Sequence, residues 1–130
     1  MASAQSINLK AIVPGYAFTY ALNFLGSDGE PITGFDLTTA DRLRAEFRRS
    51  IDDAGPPLAV VDTEDASIVI VDANTIQFSL AAEATARMAP GSPAWVDFTE
   101  ERSGSWAVLT PAIPWPVRDA VTVPPTPALP

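Results

Sequence analysis

The sequence predicts an all-β fold, an antiparallel β-sandwich formed by a single domain. Two observations carry that prediction. Short segments alternate bulky apolar residues with small or polar ones at period two, the spacing that turns one face of a strand toward a core. Between them stand clusters of Gly, Pro, Asp and Asn at regular intervals, which mark turns. The chain of 130 residues, 47% of them apolar, is long enough for one core of ordinary size.

The first strand is expected within Tyr16 to Leu25. Tyr16, Phe18, Tyr20, Leu22 and Phe24 fall on one face, and Ala17, Thr19, Ala21, Asn23 and Leu25 on the other. It ends at "GSDGEP", where Gly26 and Gly29 permit positive φ, Asp28 can bond its own downstream backbone and Pro31 has no amide hydrogen for a ladder. "DRLRAEFRRS" sets Leu43, Ala45 and Phe47 against Arg42, Arg44, Glu46 and Arg48, a strand with one wet face. Good helix formers there make a helix over Leu43 to Ile51 the rival, but strict alternation favours the strand. "ASIVIVD" supplies a short apolar strand around Ile68 to Val71. Asp72, Ala73 and Asn74 then turn the chain into "NTIQFSL", with Ile76, Phe78 and Leu80 inward. "AAEATARMAPG", Ala81 to Gly91, reads as the one short helix, about two turns closed by Pro-Gly. "AWVDFTE" places Ala94, Val96 and Phe98 opposite Trp95, Asp97 and Thr99. "ERSGS" turns into "WAVLTPAI", and "VRDAVTV" is expected to close the sheet.

About seven strands at this spacing make the expected sandwich immunoglobulin-like, in architecture only, since the Cys…Trp…Cys hallmark is missing. Residues 1–123 form the predicted domain. Residues 124–130, "PPTPALP", are too rich in proline to pair in a sheet and read as an extended tail or an arm on a neighbour.

Two absences restrict the chemistry. The chain has no Cys, which removes disulfides, thiolate nucleophiles and thiolate metal sites. It has no His, which removes the usual general base and zinc ligand and any Ser-His-Asp arrangement within the chain. A formal net charge of −8 argues against nucleic acid as partner. No apolar run approaches the roughly 20 residues of a spanning helix, and "MASAQSINLKAIVPG" does not read as a secretory signal, so a protein folded in a cytoplasm is expected, with no membrane partner.

Candidate sites are few. Asp97, with Glu100 or Glu101, is the best pair for a two-carboxylate glycosidase; ordinary solvated carboxylates are the plainer reading. Asp62, Glu64 and Asp65 fall within four positions and suit a hard cation such as calcium, but lack the glycine and terminal Glu of an EF-hand loop; an acidic turn is the plainer reading. Trp95 and Trp106, on adjacent predicted strands, are candidates for a sugar-binding platform. Trp115, between two prolines, reads either as a contact for another subunit or as a local cap over the sandwich. Arg42, Arg44, Arg48 and Arg49 form a basic stripe suited to an acidic neighbour, or simply a solvated face. No phosphate loop, nucleophile elbow or nucleotide fingerprint occurs, so no enzyme activity, catalytic residue, metal or cofactor is expected.

The order of the segments also resembles a known group. "SDGEPITGFDLT" leads to "LRAEFRR", then to an "IVI" strand, "TIQFSLAAEATARMAPG", "AWVDFT" and a closing "AVTV". Over roughly Ile7 to Val123 this is similar to small β-sandwich proteins encoded among tail and baseplate genes of tailed bacteriophages and prophages. That pattern more often has Tyr where a Trp stands here, and fewer prolines than "TPAIPWPVRD", which bears on the register of the last strand. The resemblance implies a non-enzymatic virion structural component of the tail or baseplate, one form of which is an adaptor to receptor-binding fibres. It would be made in the bacterial host cytoplasm, and its partners would be other virion proteins and copies of itself. Trp115, Pro124, Pro125, Pro127, Arg42, Arg44 and Arg48 are the expected contact residues. A capsid decoration or head-completion protein is one alternative, and a carbohydrate-binding or adhesin module recognising a host-surface glycan is the other.

Overall fold

A computed structural model describes residues 9–120. Among these are eight strands and one short helix: β1 (Phe18–Asn23), β2 (Arg42–Arg48), β3 (Ala59–Asp62), β4 (Ile68–Asp72), β5 (Thr75–Leu80), α1 (Ala82–Thr85), β6 (Ala94–Arg102), β7 (Ser105–Val108) and β8 (Ile113–Trp115). They form two antiparallel sheets. One has three strands in the order β1-β5-β4; the other has five, in the order β3-β2-β6-β7, with β8 also paired to β6.

Period-two alternation decides which side chains meet between the sheets. Leu43, Ala45 and Phe47 of β2, Ile76, Phe78 and Leu80 of β5, and Ala94, Val96 and Phe98 of β6 are all buried. Phe78 stands at the centre, its ring centroid 5.8 Å from Phe47, 5.5 Å from Phe98 and 5.4 Å from Trp115. Strand β1 keeps the predicted alternation from Phe18 onward, but Tyr16 precedes the strand and is exposed.

The turns follow their residues. After β1, the Asp28 carboxylate accepts the Glu30 amide and Gly29 adopts φ +80°, which bends the chain back so that Leu25 bridges Pro31. The β4–β5 hairpin is closed by Asp72 accepting the Asn74 amide. Ser103 and Gly104, both at positive φ, form the two-residue β6–β7 hairpin.

Several expectations need correction. The segment predicted to be a helix over Ala81 to Gly91 forms only α1, four residues long, before hydrogen-bonded turns take over. Its Thr85 is fully buried, and its hydroxyl donates to Tyr16 O and accepts from the Gly15 amide, so a tertiary contact ends the helix early. Strand β3 was not foreseen. Among the described residues the last paired strand is Ile113–Trp115; of "VRDAVTV", expected to close the sheet, Val117 makes a parallel bridge to Ile12 and residues 121–123 lie outside the described residues. Trp115 is completely buried against Phe18, Tyr20 and Phe78, and its indole N–H donates to Lys10 O at 2.9 Å. It is therefore a core residue, not an exposed contact for another subunit. Pro124, Pro125 and Pro127 lie outside the described residues.

Candidate functional site

The outer face of the five-stranded sheet holds a groove of about 590 Å³, and its geometry follows from strand register. Arg42, Glu101 and Trp106 stand in one row across β2, β6 and β7. Arg44, Thr99 and Val108 form the next row, with Asp62 of β3 beyond Arg44. Glu46 faces Asp97 in the third, and Arg48, Trp95 and Pro114 close the far end. Beside the third row the edge strand is interrupted between β7 and β8. Pro111 has no amide hydrogen, and the Thr110 hydroxyl replaces a strand carbonyl as acceptor for the Phe98 amide, at 3.3 Å.

The arginines do not present bare positive charge. Asp62, with 7% of its side chain exposed, accepts Arg42 at 2.7 Å and Arg44 at 3.0 Å through one oxygen, and the Glu64 amide at 3.0 Å through the other. Burial by itself would raise its pKa. The Arg42 guanidinium, the Glu64 amide and the Arg44 guanidinium outweigh burial and hold the carboxyl at about 2. Glu46 pairs with both Arg44 and Arg48; burial again acts upward, and these two guanidiniums win, lowering its pKa. Glu64 pairs with Arg42 at 3.1 Å. The basic stripe expected to meet an acidic neighbour is thus met by three carboxylates of its own chain. Arg49 stands apart from that ladder, pairing loosely with Asp53.

No family model, curated protein or solved structure matches this chain. Its site is therefore read from its own residues.

The candidate pairs sort by face. Glu100 turns to the opposite side of β6 from Asp97, where it pairs with Arg102 at 3.0 Å. Glu101 shares Asp97's face but lies four residues along the strand, about 13 Å at the usual rise. Two-carboxylate glycosidases hold their pair within roughly 5–9.5 Å, so neither combination has that spacing. Asp62, Glu64 and Asp65 do not converge: Asp62 is taken by arginines and Asp65 accepts the Ser67 amide. Among the described residues, no group of three acidic side chains is set to hold a metal ion.

Trp95 and Trp106 do share the outer face, but they are not cross-strand partners. They stand at opposite ends of the groove, six residues of β6 apart in register, roughly 20 Å. Trp106 remains 46% exposed, with the Arg42 guanidinium 5.6 Å from its ring centroid. Between the two indoles lies Asp97, for which no ion pair is found among the described residues. It sits directly opposite Glu46, and like charges so placed are unfavourable unless neighbours compensate, as Arg44 and Arg48 do here for Glu46. The exposed Val108 and Ile51 flank this surface. Val108 and Ile51 were not singled out in the sequence, where each reads as one more apolar strand or turn residue.

Proposed function

We propose that this chain is a non-enzymatic structural protein of a tailed-bacteriophage particle, built into the tail or baseplate. It works there through contacts with neighbouring virion proteins and with copies of itself. The observation that carries this reading is the outer face of the five-stranded sheet. There Trp106, Val108 and Ile51, exposed by 46%, 63% and 65%, surround a preformed arginine–carboxylate ladder. Exposed Trp and Arg on a rigid sheet make the composition of an interface centre rather than of an ordinary solvated surface.

The immunoglobulin-like part of the reading is supported by strand order. The sequence β1-β5-β4 against β3-β2-β6-β7 corresponds to B-E-D packed on C′-C-F-G in that topology. The order of sequence segments that resembles phage tail and baseplate sandwiches supports the location.

The test is to purify particles from the producing bacterium and locate the protein with gold-labelled antibody. Tail or baseplate labelling at a fixed copy number is the expected result. Labelling over the head would transfer the protein to the decoration or head-completion class, and particles free of it would end the structural reading. A second reading, a module that binds a host-surface glycan, is favoured by the two indoles flanking Asp97. Glycan binding that disappears in Trp106→Ala, with the fold retained, would establish it.

A further inference from the structure

We infer that the groove between Trp95 and Trp106 receives residues 121–130 of a second copy of this chain. The inference rests on the self-assembly part of the proposed function and deepens it by naming the segment and its receptor.

The first reason is hydrogen-bond complementarity. The groove is rich in donors. Trp115 spends its indole N–H on Lys10 O, but among the described residues the indoles of Trp95 and Trp106 have no protein acceptor. Arg42 and Arg44 each carry more N–H groups than their bonds to Asp62, Glu64 and Glu46 use, while Arg48 donates to Glu46 and to the Asp53 and Gly55 carbonyls. Residues 121–130, "VTVPPTPALP", are the reverse: four of the ten are prolines, which offer a carbonyl and no N–H. Proline-rich segments dock in aromatic grooves because their rings lie on the indoles, their carbonyls accept from the walls, and their fixed φ leaves little entropy to lose. The hydroxyls of Thr122 and Thr126 are the donors that Asp97 lacks.

Charge gives the second reason. The whole chain carries −8, so two copies meeting body to body repel. The segment 121–130 contains no Asp, Glu, Lys or Arg and so brings no side-chain charge to a face that already holds Glu46, Asp97 and Glu101.

Direction decides between the chain's own groove and another's. β7 and β8 run from the Trp106 end of the groove to the Trp95 end, pairing first with Arg102 and last with Ala94. By Val117, whose carbonyl accepts the Gly91 amide, the chain has passed the Trp95 end of the groove. To enter its own groove the segment after Ala120 would have to double back over β8, whereas a neighbour's groove requires no reversal. In polyproline geometry ten residues span about 31 Å, more than the roughly 20 Å between the two indoles. The segment therefore suits the groove of a neighbour. Repeated, such a head-to-tail contact closes a ring; exchanged across a two-fold axis it closes a dimer.

The experiment measures mass by analytical ultracentrifugation for the full chain, for Trp106→Ala, and for a Pro124→Ser/Pro125→Ser/Pro127→Ser variant, with far-UV circular dichroism of each. A synthetic peptide of residues 120–130 serves as competitor, its binding followed by tryptophan fluorescence. The expected result is concentration-dependent association of the full chain that weakens at least tenfold in both variants and is reversed by excess peptide. The proline variant leaves every described residue untouched, so it carries the test even if Trp106→Ala disturbs the sheet. Association unchanged in the proline variant overturns the inference, as does a monomeric full chain, including one whose groove binds the peptide. An oligosaccharide that displaces the peptide's fluorescence signal while association persists in the proline variant assigns the groove to a glycan and also overturns it. Particles that contain the proline variant at normal copy number would remove this inference and leave the virion reading standing.

Discussion

Asp62 ends β3 with almost no exposed surface, yet it stays ionised because Arg42 and Arg44 both bond it and the Glu64 amide holds its second oxygen. Its pKa falls from 3.8 to about 2 in the fold. A lowered carboxyl pKa means that the folded state binds protons less readily than the unfolded one. The stabilisation is therefore complete above pH 4 to 5 and drains away as pH falls toward 2; for a shift of this size it amounts to about 2–3 kcal/mol. Urea unfolding at pH 7, 4 and 2.5 measures it. Asp62→Asn is expected to lose about that much stability at pH 7, with both guanidiniums left short of a partner, and to show a shallower decline between pH 4 and 2 than the parent. Equal acid slopes in the two proteins would contradict the assignment. In the sequence, Asp62 looked like the start of an acidic turn, and in part it is, since it caps the 3-10 turn over Thr63–Asp65. Its arginine partners sit 18 and 20 residues earlier, a separation that no local pattern encodes. Trp115 misled for a different reason. Prolines on both sides suggest a residue outside any sheet, but an edge strand tolerates Pro114 when its nitrogen faces away from the neighbour, and Trp115 then turns inward.

Among the elements, those with long strict alternation were legible: β2, β5 and β6 have the predicted inward residues, and β2 is a strand despite its good helix formers, because Leu43, Ala45 and Phe47 all reach the core. β3 was illegible because it has only four residues, follows two prolines, and is buried at Ala59, Val61 and Asp62 with no clean alternation. The helix was overread because propensity favoured two turns where the Thr85 contacts to Tyr16 and Gly15 allowed one. Of the groove, both tryptophans and the arginine stripe were visible in sequence, but their relative rows depend on strand register, which is set by turns. The β6–β7 turn is the clearest of these. Ser103 at φ 53° and Gly104 at φ 81° give it the twist that suits a two-residue hairpin, and the Ser103 amide is held by Asp41. Nothing lies within 4 Å of a Cβ placed on Gly104, so Gly104→Ala suffers backbone strain and no clash. The expected cost is about 1 kcal/mol in chemical denaturation. Ser103→Asn, which tolerates positive φ better, should restore a few tenths. A Gly104→Ala protein as stable as the parent would show that another turn geometry sets the register of Trp106.

At the scale of the molecule, one core runs from Ile12 to Val117 and draws on both sheets, the short helix segment and the final strand. A single core of this size is expected to unfold in one cooperative step. The charge around it is unbalanced, with 16 acidic residues against 8 basic ones and no His. Without histidine, no side chain has an ordinary pKa between pH 6 and 8, so the melting temperature should be nearly flat across that range. Salt is the more searching variable, because it acts on two opposed terms. Screening weakens the attractive ladder of Arg42, Arg44 and Arg48 with Asp62 and Glu46, but these groups are half-buried or buried and lie within contact distance, where mobile ions screen poorly. Screening also weakens the repulsion among the excess carboxylates, many of which stand exposed at turns, as Asp28, Glu30, Asp52 and Asp72 do. The second term should win. Raising sodium chloride from 0.02 to 0.2 M at pH 7 is therefore expected to raise the melting temperature by a few degrees in calorimetry, and a fall would show that the ladder, rather than the net charge, governs the electrostatics of the fold.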